Sequence, residues 1–334
     1  MSAALPVLDR LDRVKLVHGP TPLEALPRLS DRLGGPRIYV KRDDCTGFAA
    51  GGNKGRKLEY LMGAALRAGA DTVITVGAVQ TNHGRQTAAA AAKLGLRCVL
   101  VLTDSVPGRS AAYHASGNFL LDRLTGAECR VVPAEVNGEE ELERIADDLR
   151  RAGRVVYVIP GGGSSPIGAL GYAVAGEEIA AQTKAAGIRP SAVVHATGSN
   201  GTQVGLLLGL AASGIPVTGV TVRRTKADQE ARVKALLDRT VTELQLDPKL
   251  KDCVVEADDR FVGPGYGQPS PGMVEAVRLA AECEGLFLDP VYTGKGFAGL
   301  IQRIREGRYR KDDTVVFVHT GGLPGLFVYD EAFA

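Results

Sequence analysis

Short runs rich in valine and isoleucine alternate with longer stretches of helical period along most of this chain, and that alternation leaves few folds open. The runs at 37–40 (RIYV), 72–77 (TVITVG), 97–102 (RCVLVL), 129–132 (CRVV), 155–159 (VVYVI), 192–197 (AVVHAT), 217–222 (VTGVTV) and 314–320 (TVVFVHT) have the unbroken apolar character of strands covered on both faces. Between them KLEYLMGAALRAG, HGRQTAAAAAKLG, EEELERIADDLRRAG, AGEEIAAQTKAAG, TKADQEARVKALLDRTVTEL and MVEAVRLAAECEG read as helices, several closed by a glycine. FLDPV reads as a further short buried strand. Strands that alternate with helices build parallel sheets, so the pattern predicts a doubly wound α/β protein.

A chain of 334 residues fits one large domain or two packed ones. No repeat or low-complexity linker marks a boundary, and the glycine-rich PGGGSSPIGALGY at 160–172 reads equally as a hinge or as an ordinary βα loop. With 40 basic and 38 acidic residues the net charge is +2, which gives no footprint for nucleic acid or an anionic membrane. Five scattered cysteines without a C-x-x-C pair argue against a disulfide framework or a metal site. No run is long enough to span a bilayer and the N-terminus lacks an uninterrupted apolar leader, so a reducing cytoplasm is expected.

Several polar turns could carry chemistry. GFAAGGNK, ending at Lys54, lacks the spacing of a phosphate-binding P-loop, and no G-x-G-x-x-G with its acidic partner follows a strand. The helix after it opens with Lys54, Arg56 and Lys57, against the macrodipole. Arg56 and Lys57 read as solvating the helix start, their positive field easing deprotonation of Lys54. HATGSNGTQVGLLLGL converges the N–H groups of Gly198, Ser199, Asn200, Gly201 and Thr202 at a helix N-terminus, a cradle for a small phosphate, favoured over a plain tight turn. Gln80, Thr81, Asn82 and His83 stand at a strand's carboxyl end, where open α/β sheets bind ligands, although a lone histidine there is a weak signal. Tyr292 and Thr293 follow FLDPV, with half-buried packing as the plain reading of the tyrosine and a solvated helix start that of Lys295. His319, Thr320 and Gly321 close another strand with a turn that can approach a ligand.

A small-phosphate cradle, a lysine where positive potential frees its amine, and an aromatic ring for stacking together describe a pyridoxal phosphate pocket. The motifs TPLEALPRLSDRLGG, VKRDDCTG, GGNKGRKLEYL, GAVQTNHGRQTAAAAAKLG, YVIPGGGS, GALGY, GSNGTQ, VGPGYG, LDPVYTGK and HTGGLPGLF follow one another from about residue 20 to the end. Through them the chain resembles the 1-aminocyclopropane-1-carboxylate deaminase and D-cysteine desulfhydrase family, fold-type II pyridoxal phosphate enzymes of tryptophan synthase β-like architecture. The resemblance implies two doubly wound domains, a larger one of residues 1–54 plus 166–334 and a smaller inserted one of 55–165, with the cofactor in the cleft and a homodimer as the assembly. It implies that Lys54 holds the cofactor covalently, that Gly198–Thr202 hold its phosphate, that Asn82 meets its ring hydroxyl and that Tyr292 stacks on its ring. Gln80, Thr81, Asn82 and His83 match the turn that receives the substrate carboxylate, Tyr266 matches a tyrosine beside the substrate, and Thr320 with Gly321 matches a pocket wall.

Thr293 matches the position that contacts the pyridine nitrogen. The deaminases resemble this segment but carry glutamate there, and a neutral hydroxyl suits β-elimination. The resemblance therefore implies a D-cysteine desulfhydrase-like lyase, in which Lys54 removes the α-proton, thiolate departs, and pyruvate and ammonia follow. Thr81 is a catalytic candidate with Lys54, Tyr266 and Tyr292. Where the family usually has serine the chain has Thr81, whose methyl narrows the pocket, and where it more often has valine the chain has Gly84. Alternatives are an L-cysteate sulfo-lyase, a deaminase-like activity and an amino-acid racemase. Arg223, which could serve a second anion, reads as a surface residue.

Overall fold

The computed structural model describes residues 5–334. Ten strands are present: β1 (Leu23–Ala25), β2 (Arg37–Arg42), β3 (Thr72–Ala78), β4 (Arg97–Asp104), β5 (Glu128–Pro133), β6 (Val156–Ile159), β7 (Ala192–Thr197), β8 (Val217–Thr221), β9 (Glu256–Asp258) and β10 (Thr314–His319). They form a six-stranded sheet in the order β1-β2-β10-β7-β8-β9 and a four-stranded sheet in the order β5-β4-β3-β6. All neighbours are parallel except β1 and β2. The helices are α1 (Pro27–Leu33), α2 (Lys54–Arg67), α3 (Asn82–Leu94), α4 (Gly117–Leu124), α5 (Gly138–Arg151), α6 (Pro166–Ala185), α7 (Gly201–Leu210), α8 (Lys226–Glu243), α9 (Pro271–Glu284), α10 (Thr293–Arg305) and the single turn α11 (Leu323–Leu326).

Both sheets are wound on both faces, as the continuous apolar runs require. Along β10, Val316 and Val318 pack into the core with α6, α7 and α8, while Val315 and Phe317 pack with α9 and α10 on the other face. In the smaller sheet Ile74, Val99 and Val101 meet Leu142, Ile145 and Leu149 of α5, and Val73, Leu100 and Leu102 meet the apolar face of α2 and α3. The eight runs read as strands are strands here, each within two residues of its expected limits at either end. The two further strands, β1 and β9, are three residues each at the edges of the larger sheet, too short to show a period.

The exception among the expected strands is FLDPV at 287–291. Leu288 and Val291 are buried, but no strand forms there. The backbone is instead satisfied by side chains: His319 Nε2 donates to the Phe287 carbonyl at 3.0 Å, and Thr293 Oγ1 accepts from the Asp289 N–H at 2.7 Å. Among the described residues no helix is long and apolar enough to cross a membrane, no cluster of His, Cys, Asp and Glu could hold a metal ion, and the five cysteines are unpaired.

Candidate active site

A cavity of about 560 Å³ opens where residues of the two sheets face each other. The smaller sheet contributes Gly77 and, after it, Thr81, Asn82 and His83; the larger contributes Gly198, Ser199, Asn200, Thr202, Tyr266, Tyr292 and Thr320, with Lys54 between.

Lys54 is placed by a backbone that few sequences could follow. Ala49, Ala50, Gly51 and Gly52 have φ of 48°, 60°, 72° and 116°, so two alanines accept a left-handed conformation that costs them of order 1 kcal/mol each. A Cβ on Gly51 would overlap the Asp44 carbonyl. Arg85 donates to the Gly51 carbonyl at 2.8 Å, Gln86 Oε1 accepts the Gly55 N–H at 2.6 Å, and the Thr320 carbonyl accepts the Asn53 N–H at 3.0 Å. Elements from both sheets thus fix the start of α2. Lys54 Nζ donates to the Gly162 carbonyl at 3.3 Å and to Ser199 Oγ at 3.1 Å. Burial lowers its pKa to about 8.

Arg56 and Lys57 do not solvate the helix start; both are buried. Arg56 is paired with Asp43 and Glu178 at 2.9 and 2.8 Å. Lys57 Nζ donates to the same Gly162 carbonyl at 3.2 Å, and burial beside Lys54 holds its pKa well below the usual range. Carboxylates offset the Arg56 charge, and the hydrogen bond with Lys57 acts to raise the Lys54 pKa, so neither supplies the easing expected from the sequence. Burial is what frees the Lys54 amine.

The turn from β7 into α7 is held from several sides. Ser164 Oγ accepts the Gly201 N–H at 3.1 Å, Asn53 Nδ2 donates to Thr202 Oγ1 at 3.2 Å, Gln229 Nε2 donates to Asn200 Oδ1 at 3.1 Å, and Arg224 donates to the Gly198 carbonyl at 2.6 Å. Glycine keeps it open: a Cβ at Gly198 would lie 3.3 Å from Tyr292 Cε1, one at Gly201 3.3 Å from Lys57 Nζ, and one at Gly162 2.7 Å from Ser199 Oγ. The glycine-rich segment at 160–172 therefore closes onto Lys54 and the cradle through Gly162 and Ser164.

Thr81 is the N-cap of α3, its Oγ1 accepting the Gly84 N–H at 3.0 Å. Asn82 lines the cavity with Oδ1 buried and unpartnered. His83 Nε2 lies 2.9 Å from Thr75 Oγ1, whose proton goes to the Ile159 carbonyl at 2.7 Å, so Nε2 carries the imidazole proton and buried Nδ1 is left without a partner. Burial first, and then the lysines, hold His83 well below the usual histidine range. Gln80 is not brought into the cavity: its amide holds the segment before α4, donating to the Tyr113 and Ser116 carbonyls at 2.6 and 3.0 Å and accepting the Asn118 N–H at 2.8 Å.

Tyr266 and Tyr292 share a 2.6 Å hydroxyl–hydroxyl hydrogen bond and meet edge to face, and burial raises the pKa of both. Arg223, read as a surface residue, is exposed yet lines the cavity with its guanidinium 5.3 Å from the Tyr266 ring centroid. Thr293 is fully buried and does not face the cavity; its hydroxyl donates to Asp289 Oδ1 at 2.7 Å. Gly321, at φ 86°, backs the site instead of lining it, and a Cβ there would overlap the Gly52 backbone at 2.6 Å. Lys295 is buried and not solvated: it donates to the Val262 and Gly265 carbonyls at 2.7 and 2.8 Å, tying down the loop that carries Tyr266.

Asn53, Arg85, Gln86, Gly162, Ser164 and Lys295 are not legible in the sequence as site residues. Only the composition of PGGGSS pointed toward one of these places; the rest act through contacts between distant segments.

The model of a family described as pyridoxal-phosphate dependent enzyme matches residues 14–321. The chain is 47% identical over 328 residues to a D-cysteine desulfhydrase of Klebsiella pneumoniae (strain 342), covering 98% of each. It is 46% identical over 324 residues to one of Salmonella newport (strain SL254), covering 96% of this chain and 97% of that one. A solved structure of an ACC deaminase homologue, 39% identical, superposes with a TM-score of 0.89 over 99% of this chain and 98% of that one.

Proposed function

The chain belongs to the pyridoxal-phosphate dependent enzyme family, and from that premise we propose that it is a D-cysteine desulfhydrase, a carbon–sulfur lyase that converts D-cysteine to pyruvate, ammonia and sulfide. The observation that carries this is the position of the Lys54 amine, 3.1 Å from Ser199 Oγ at the edge of an open glycine cradle, with the Tyr292 ring against Gly198. The residues present fit the cofactor. Asn82 Oδ1 is a buried acceptor without a partner, the Gly198–Thr202 turn has room that side chains would fill, and the Lys57 amine lies against it. Gly198–Thr202 would hold the phosphate, Asn82 and Tyr292 the ring, and Lys54 the aldehyde carbon. When bound, the cofactor supplies an electron sink that loosens the bonds at the α-carbon of an amino acid.

The protein's own groups supply the rest. Lys54, with a pKa of about 8, offers Nζ as the acceptor for the α-proton near neutral pH. The N–H groups of Asn82 and His83, the first two residues of α3, have no acceptor within their own helix and would receive the carboxylate beside the Thr81 cap. The Tyr266–Tyr292 pair, held protonated by burial, can donate to a departing thiolate. Thr293 brings no carboxylate to the cavity; its own proton is given to Asp289.

The test is a pyruvate assay over both enantiomers of cysteine, cysteate, serine and chloroalanine, with 1-aminocyclopropane-1-carboxylate included. Pyruvate and sulfide from D-cysteine support the reading, and pyruvate from none of them overturns it. Borohydride should leave a reduced adduct on Lys54, and α-proton exchange without elimination would indicate a racemase. Arg223 favours one second reading: it lines the cavity with no ion pair among the described residues, which suits a sulfonate and release of sulfite. The strands of the four-stranded sheet all fall within 55–165, which supports domain limits of 1–54 plus 166–334 and 55–165. We further propose a homodimer in the cytoplasm, to be checked by light scattering and fractionation.

A further inference from the structure

Thr81 sits between two glycines whose presence conformational freedom does not explain. Gly77 and Gly84 are absent from the residues of left-handed φ. What both positions require is room. A Cβ on Gly77 would meet Thr81 Oγ1 at 2.5 Å and Cβ at 2.7 Å, so the whole Thr81 side chain lies over that glycine. A Cβ on Gly84 would overlap only Thr81 Cγ2; its next neighbours, Thr81 Cβ and Leu100 Cδ1, stand at 3.6 Å, ordinary contact. One methyl group therefore excludes every residue but glycine at position 84. That methyl is itself fixed, because Oγ1 is held by the Gly84 N–H at 3.0 Å and a β-branched side chain with its oxygen pinned has nowhere else to put its carbon.

We propose that Gly84 is a positioning residue for the reaction: with Gly77 it forms a slot that seats the Thr81 methyl, and the seated methyl holds the Thr81 hydroxyl in one direction toward the substrate, so that the 81/84 pair sets discrimination between amino-acid enantiomers. The selectivity part rests on the reading that Thr81 faces an amino-acid substrate. With one lone pair occupied by the helix cap, the hydroxyl keeps its proton for the substrate carboxylate. A hydroxyl free to change rotamer follows the carboxylate of either enantiomer. One locked in place, in a cavity whose Lys54 amine is also held, does not.

A cycle of Gly84→Ala, Thr81→Ser and the double variant tests this. Melting temperature is read on the purified proteins without substrate, and kcat and KM on D- and L-cysteine. Gly84→Ala alone should melt lower than the wild type. The double variant, with the methyl gone, should regain that loss and melt no lower than Thr81→Ser, since alanine is the better helix former. Thr81→Ser and the double variant should both lose roughly tenfold in the D-to-L ratio of kcat/KM, the size of one misdirected hydrogen bond. An unchanged melting temperature in Gly84→Ala, or a double variant as unstable as Gly84→Ala, overturns the slot. Restored stability with an unchanged D-to-L ratio in both serine variants overturns the positioning role. If the wild type turns over neither cysteine, the reading beneath the selectivity fails with it, while the melting cycle still decides the slot.

Discussion

Lys54 shows how much one residue's chemistry depends on its surroundings. An amine with a pKa of about 8 should react with an acylating reagent half-maximally near pH 8, against 10.5 for an ordinary lysine. Mass-spectrometric labelling of the cofactor-free protein across pH 6–11 reads this directly. The folded pKa is the lower one, so the unfolded chain binds more protons between about 8 and 10.5, and Lys54 makes stability rise with pH across that window. Thr293 is a second such residue. Placing glutamate there to imitate the deaminases would set a carboxylate against Asp289, which now accepts the threonine hydroxyl at 2.7 Å. Thr293→Glu is expected to lower the melting temperature and, with its carboxylate repelled by Asp289, to yield no 2-oxobutyrate from 1-aminocyclopropane-1-carboxylate; 2-oxobutyrate formed by the unmodified protein would remove Thr293 as the discriminating position.

At the scale of the element, α2 opens with three cations because each has a different buried task. Arg56 ties α2 to α6 and the end of β2: it bonds both oxygens of fully buried Asp43 at 2.9 Å, reaches Glu178 at 2.8 Å, and Tyr172 adds a 2.6 Å bond to Asp43. Arg56→Met leaves Asp43 buried without its cation and should cost about 3–5 kcal/mol in denaturant unfolding. Arg56→Lys should recover only part, lacking the bidentate fork. Asp43 is held below the usual carboxylate range by Arg56 despite its burial, so this contribution is present at neutral pH and is lost on acidification. The start of α10 works in the same way. Lys295 ties down the 262–265 loop, and if its effect on turnover runs through Tyr266, Lys295→Met and Tyr266→Phe should be non-additive in kcat. Additive losses would separate Lys295 from the tyrosine.

At the scale of the molecule, a ligand seated between the two sheets should bind the folded state alone. At a hundredfold excess over its Kd, pyridoxal phosphate should stabilise the protein by about 2.7 kcal/mol, seen as a raised melting temperature that Lys54→Ala diminishes. The sequence by itself determined the fold class and eight of the strands, since a strand buried on both faces can be made of little but apolar β-branched residues, and that constraint is local. It also placed Lys54 at the start of a helix and the Gly198–Thr202 turn between a strand and a helix, each written in a few consecutive residues. Only the tertiary structure decided that Arg56 and Lys57 are buried, that Gln80 and Thr293 turn from the cavity, that Arg223 turns toward it, and that Thr81 and Gly84, two separate departures in the sequence, share one volume. The physical reason is the same throughout. Propensity and spacing act along the chain, whereas desolvation, ion pairing and excluded volume depend on which distant atoms arrive beside a residue once the sheets have packed.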